Sequence, residues 1–214
     1  LISGQLRRAE KTAQQVLQQA LFQRGHLPEP ASISLAVLCH VHLERNELAS
    51  AQRMLAQAEE VDPNPTSSNM LVQFALLRAR IQMAEGKSLE AVETLESIQD
   101  LHVRRPSGVW SDADLRAYQA LIQLQAGDPS AAQAIVDDIN EDDRYLPCLA
   151  RAALHLQRQE AENAEKLLRQ ILQASPHPGM FDPFIYPQIL LAGALFSQHK
   201  VSQAVLEFSE ALRA

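Results

Sequence analysis

The sequence is poor in the residues that build sheets, tight turns and covalent frameworks. It has three threonines, one tryptophan, three tyrosines, seven glycines and two cysteines in 214 residues. Valine, isoleucine and threonine together number 24, against 84 for alanine, leucine and glutamine. Strong helix formers therefore outnumber the β-branched residues that strands favour. Too little turn and strand chemistry is left for a sandwich, a barrel or a nucleotide-binding α/β domain. No run of about 18 apolar residues occurs, so no membrane span is expected, and the opening residues carry no signal-peptide pattern. The formal net charge of −7 lacks the basic excess a phosphate-backbone binder needs to release counterions. Cys39 and Cys148 stand too far apart in sequence to suggest a disulfide frame, and read as free thiols in a reducing, cytoplasmic setting.

What is present is a repeat. An alanine recurs at 9, 51, 91, 132, 164 and 204, at intervals of 42, 40, 41, 32 and 40. Four residues later stand Ala13, Leu55, Leu95, Val136, Leu168 and Phe208, and seven later Val16, Ala58, Ile98, Ile139, Ile171 and Ala211. That spacing is one apolar helix face, with the small residue where two helices cross closely. Five positions before the alanine come Gly4, Asn46, Gly86 and Gly127, residues that tolerate the left-handed backbone ending a helix. Gln159 and His199 depart from that rule in the last two units.

A second amphipathic segment precedes each turn, at 33–44, 70–84, 114–126, 146–157 and 187–198, so each unit is an antiparallel helix pair. Breakers such as Asp62-Pro63-Asn64-Pro65 and Arg105-Pro106-Ser107-Gly108 separate the pairs. Asp128-Pro129 reads as an N-cap followed by proline at the first helical position. The expected fold is all-α: a right-handed superhelical solenoid of about six pairs, spanning 1–214 as one domain, with the first helices lining its concave side. The first unit has only its second helix, so the chain reads as a piece of a longer protein.

The register of a small residue in the first helix, a glycine, then x-x-Ala-x-x-x-Leu-x-x-Ala resembles the tetratricopeptide repeat. Leu35, Leu38, Cys39, Leu48, Ala51, Leu55, Ala58 and Pro63 carry the match. The period near 40 exceeds the usual 34. With stretches such as 75–86 and 35–51, it is similar to the helical-repeat sensor domain of the large ATP-binding LuxR-type transcriptional regulators, the group typified by the maltose-regulon activator. The resemblance implies a bacterial, cytoplasmic, non-catalytic platform for a small-molecule effector or a protein partner. It also implies an NTPase module before the array and a helix-turn-helix module after it, with no DNA-binding residues in this piece. A general scaffold for partner peptides is the alternative. A carboxylate-clamp adaptor does not fit, because the groove positions lack clustered lysine and asparagine.

Other motifs read as structure. Gly86-Lys87-Ser88 ends a helix and caps the next, since a phosphate loop would need a glycine where Ile81 stands. His40 and His42 lie two apart on a helix, about 200° from each other, and cannot share a metal ion. The acidic run at 137–143 lacks the glycine and terminal glutamate of a calcium loop and reads as an inter-repeat turn. No nucleophile, base and acid share a recognisable turn, so neither an enzyme nor a cofactor is expected. Trp110, beside Arg104 and Arg105, packs over the next pair or forms a binding hot spot. The aromatic stretch 177–186, ending in Tyr186, seals a junction or offers a binding surface.

Groove residues follow from counting. Positions one after and six before the small residue of each first helix place His40, Gln73, Arg80 and Asp114 toward the groove, with Glu44 one turn beyond His40 and Tyr186 in the last unit. Arg80 can hold a carboxylate or phosphate bidentately, or pair with a groove acid such as Glu44 or Asp114. The two thiols carry a first prediction: adding a reductant should leave the melting temperature unchanged, and a fall on reduction would reveal a disulfide.

Overall fold

The computed structural model describes residues 6–22, 28–104, 110–140, 144–174 and 186–213. Among them are eleven α-helices and no strand: α1 (Leu6–Phe22), α2 (Pro28–Glu44), α3 (Leu48–Val61), α4 (Ser68–Ala84), α5 (Ser88–Arg104), α6 (Asp112–Gln125), α7 (Pro129–Asp137), α8 (Tyr145–Gln157), α9 (Ala161–Ala174), α10 (Tyr186–Ser197) and α11 (Val201–Arg213). The all-α class and the helix pairs are as the periodicity predicts. The chain divides into two compact units, one of residues 5–111 and one of residues 112–214. In the first, α2 pairs with α3 and α4 with α5, and α1 packs on α2. In the second the pairs are α6 with α7, α8 with α9 and α10 with α11.

The aligned alanines occupy the crossing points. Ala51, Ala91, Ala132 and Ala164 have no exposed surface, nor do Cys39, Ala79, Ala120, Ala152 and Ala192 on the first helices. A methyl group or thiol at each point lets the two backbones approach, and larger residues one turn away fill the remaining space. In the first unit that filling is Leu35, Leu55, Met70, Phe74, Leu77 and Ile81. First helices such as α2 and α4 bury residues on almost every side, including Ser32 and Ser34, whose hydroxyls donate to the carbonyls of Glu29 and Pro30 of their own helix. The second helices are amphipathic, with one face left to solvent.

Each turn within a pair is closed the same way. The amide of Glu47, Lys87, Asp128, Glu160 or Lys200 donates to the carbonyl five residues back, at 2.8–2.9 Å. The preceding residue takes a left-handed backbone: Asn46 at φ 58°, Gly86 at 77°, Gly127 at 84°, Gln159 at 63° and His199 at 61°. This is the Schellman closure. Gln159 and His199 thus hold the register that their side chains disfavour. Asp128 caps α7 by accepting from the Ala131 amide at 2.9 Å, with Pro129 at the first position. Ser88 is already the first residue of α5, so the cap position falls on Lys87, one residue earlier than the sequence reading.

The 32-residue interval has its cause in α7, which has nine residues where the other second helices have 13 to 17. In the last pair Ile189, Phe196 and Phe208 are exposed. Of their counterparts one repeat earlier, Leu149 and Leu168 are fully buried and Leu156 is half-buried where α10 packs on α8 and α9.

The left-handed residues generate the second prediction. An L side chain at such a backbone costs about 1–2 kcal/mol, part of which glycine returns as unfolded-state entropy. Gln159→Gly should therefore raise stability by about 0.5–1 kcal/mol in urea melts, whereas Gly127→Ala should lower it by a similar amount. Its Cβ would meet nothing within 4 Å, so that loss would be purely conformational.

Candidate functional site

Equivalent positions of successive first helices lie one period apart, and α2 packs against α4, so His40 and Arg80 meet. The Arg80 Nη1 donates to His40 Nδ1 at 3.0 Å, and its Nη2 to Glu44 Oε1 at 2.7 Å. With Nδ1 accepting, a neutral imidazole carries its proton on Nε2, which lies 3.5 Å from the Gln73 amide nitrogen. The Gln73 oxygen is buried without a partner in the orientation shown. Exchanging amide oxygen and nitrogen, which have the same shape, gives the ring N–H its acceptor and leaves the NH2 at the buried end of the network. Four of the residues picked by counting are thereby one chain: Glu44, Arg80, His40 and Gln73.

The network runs from solvent into the interior. Glu44 and Arg80 are partly exposed, while His40 and Gln73 keep only 6% and 1% of their surface. Burial, reinforced by the Arg80 charge, pushes His40 down to about 3, so it is neutral and serves as an acceptor. Burial likewise pushes the neighbouring Cys39 thiol up to about 12, which leaves it protonated and inert. Arg80 is the charged member at the rim, with its fork divided between a carboxylate and a ring nitrogen.

Asp114 lies elsewhere, in the second unit. It is buried in the first turn of α6 and accepts from Arg144, which stands just before α8: Nε donates at 3.1 Å and Nη2 reaches the second oxygen. Counting along first helices missed Arg144, because a residue before the helix falls outside the register. Trp110 is buried immediately before α6. Tyr186 opens α10, while its side chain and the stretch 175–185 lie outside the described residues.

The early end of α7 opens a cavity of about 560 Å³ in the second unit, between α7 and α8. Arg151 and Arg158 line it, and Arg151 donates to the Ile139 carbonyl at 3.0 Å. Nearby, His155 Nδ1 lies 2.6 Å from Glu160, whose carboxyl is held below its usual range by that contact. His42 and Glu47 make the same clasp at 2.5 Å in the first unit. Among the described residues no group of three His, Cys, Asp or Glu is placed to hold a metal ion. No described helix is long and apolar enough to cross a membrane. The described groups offer hydrogen bonds and charge at helix junctions.

Comparison with known proteins gives one family. The family model of the MalT-like TPR region matches residues 1–214. Among solved structures, BtubC (BKLC) from P. vanneervenii superposes with a TM-score of 0.57 at 15% identity, over 98% of this chain and 90% of that one. A tetratricopeptide repeat protein from Parabacteroides merdae ATCC 43184 gives 0.50 at 14% identity, over 98% and 73%. At these identities the likeness is one of fold. No protein of curated function matches in sequence.

The buried imidazole generates the third prediction. Unfolded, His40 takes up a proton below its ordinary 6.5; folded, it resists down to about 3. The unfolded chain thus binds more protons across that window, and His40 makes stability fall as pH drops from 6.5 toward 3. The facing charges are Arg80, which disfavours the imidazolium, and Glu44, which Arg80 engages. His40→Gln should flatten the stability slope between pH 6.5 and 4 by up to about 1.4 kcal/mol per pH unit in urea titrations. An unchanged slope would mean that the ring is protonated in the folded chain.

Proposed function

The chain belongs to the MalT-like family of tetratricopeptide-repeat regions, and on that footing we propose that it is the non-catalytic sensor portion of a LuxR-type transcriptional regulator. It works in the cytoplasm, binds a small effector or a regulatory protein, and passes that state to neighbouring NTPase and DNA-binding modules. The family match along the whole chain is the observation that carries this reading.

The Glu44–Arg80–His40–Gln73 network supports a place for the effector on the first helices α2 and α4. Arg80 is partly exposed, and its guanidinium is held in orientation from behind by a neutral ring nitrogen. A carboxylate or phosphate on the effector competes with Glu44 for the Nη2 edge of that fork. Exchange of one anion for another conserves the charge at the junction, and frees Glu44 to leave α4. Such an exchange couples occupancy to how α2 sits against α4.

Thermal shift against a panel of carboxylate- and phosphate-bearing metabolites tests the reading. At least one should raise the melting temperature of the native chain and fail to do so for Arg80→Ala. That variant should keep its helix signal, because the loss of a partly exposed ion pair and of the hydrogen bond to His40 costs about 1–3 kcal/mol, a local penalty at one junction. If no metabolite shifts the native chain while peptides from a library bind it, the general peptide scaffold takes the place of the sensor.

A further inference from the structure

Arg78 and Arg80 lie two residues apart on α4 and point to opposite sides of it. The Arg78 side faces a cavity of about 490 Å³, bounded by the end of α3, by α4 and by the middle of α5. That volume is within the range of small-molecule sites, roughly 300–1,000 Å³. Its floor is apolar, with the buried side chains of Phe74 and Ile98 beside Leu71. Two features of the sequence keep it open. Pro63 and Pro65 stop α3 and carry the chain around the edge instead of across it. On the α5 wall stand Thr94 and Ser97, whereas α9 has Leu167 and Gln170 at the same register.

The polar groups around this floor are almost all acceptors. Thr94 donates its hydroxyl proton to the Glu90 carbonyl or to Gln82 Oε1, each at 2.9 Å, and Ser97 donates to the Glu93 carbonyl at 2.9 Å. Both oxygens are left with lone pairs only. Asp62 follows α3 and closes it through its backbone amide, which donates to the Ala58 carbonyl at 3.0 Å, so its carboxylate is not needed for the cap. Glu59 accepts from Arg78 Nη2 at 2.5 Å through one oxygen, and its second oxygen remains. Among the described residues, the single cation at the rim, Arg78, is thus already matched by one of the two carboxylates.

We propose that this cavity is a binding site for a small organic cation, an ammonium or guanidinium group on an apolar stem. The stem lies on Phe74, Leu71 and Ile98. The head reaches Asp62 and the free oxygen of Glu59, with the hydroxyl oxygens of Thr94 and Ser97 as further acceptors. An anion meets two carboxylates, Asp62 and Glu59, against the one guanidinium of Arg78, and a neutral apolar molecule leaves Asp62 without a counter-charge. The site is on the other side of α4 from the Arg80 network and does not depend on the sensor reading.

The experiment is an NMR titration of the ¹⁵N-labelled 214-residue chain with 2-phenylethylamine, hexylamine and agmatine, with phenylacetate as the charge-reversed comparison. At least one amine should bind with a Kd of about 0.1–5 mM. Its shifts should gather at the amides of 59–62, 64, 71–78 and 94–98. Phenylacetate should cause none there. Asp62→Asn should weaken the amine at least about fivefold, and Thr94→Leu, which installs the residue α9 carries, should abolish binding with the helix spectrum intact. The proposal is overturned if no amine shifts those amides at about 10 mM, if phenylacetate binds them equally well, or if Asp62→Asn leaves the affinity within twofold.

Discussion

Every helix pair depends on a contact between two side chains with almost no volume. Where first and second helices cross, alanine meets alanine, or Cys39 meets Ala51, and these residues are fully buried. Close approach of two backbones brings all the flanking leucines into van der Waals range at once, so one methyl-sized residue decides how much apolar surface its neighbours bury. A leucine there would force the helices apart or off their rotamers, at about 1–3 kcal/mol. The turn closures follow from the same constraint. A second helix folds back at the right angle and offset only if the connecting residue turns left-handed, and Gln159 and His199 accept that strain to keep the register.

This constraint made the architecture legible in the sequence. Alanines at a period near 40, with large residues four later and turn residues five earlier, are local signals, and each helix and turn is written by residues close to it in the chain. The shortened interval before Ala164 was visible too, and the structure assigns the missing residues to α7. The direction of side chains between pairs was harder to read. His40, Gln73 and Asp114 were counted onto an open groove, yet they lie buried in junctions. A helical wheel gives the angle of a side chain on its own helix, but the neighbouring first helix decides whether that angle meets water or protein. The contact of His40 with Arg80 was nonetheless implicit in the period, since residues 40 apart occupy the same register.

The acceptor-lined cavity was the least legible feature. Its residues come from three helices and a proline turn, and none forms a motif. The one local sign was Thr94, a small polar residue at a register where α9 carries leucine. Its meaning depends on where its hydroxyl proton goes, and only the structure shows that the proton is spent on acceptors of its own pair of helices.

The polar network and the ion pairs do different work from the core. Pairs such as Arg78 with Glu59 or Lys200 with Glu165 sit at partly exposed sites, where screening leaves each about 0–1 kcal/mol. The hydrogen bonds of Glu165 to Lys200, Arg169 and Gln198 hold its carboxyl down at about 2, which fixes the mutual orientation of α9, α10 and α11 more than it stabilises them. Between α2 and α4 the case is sharper. Apolar residues at 40, 73 and 80 would bury equally well and at less desolvation cost, but they would also tolerate sliding of one helix along the other. A guanidinium that must reach both an imidazole nitrogen and a carboxylate does not slide: a shift of one helical turn, about 5.4 Å, breaks both bonds. The network therefore gives the junction one register and makes that register sensitive to whatever competes for Arg80.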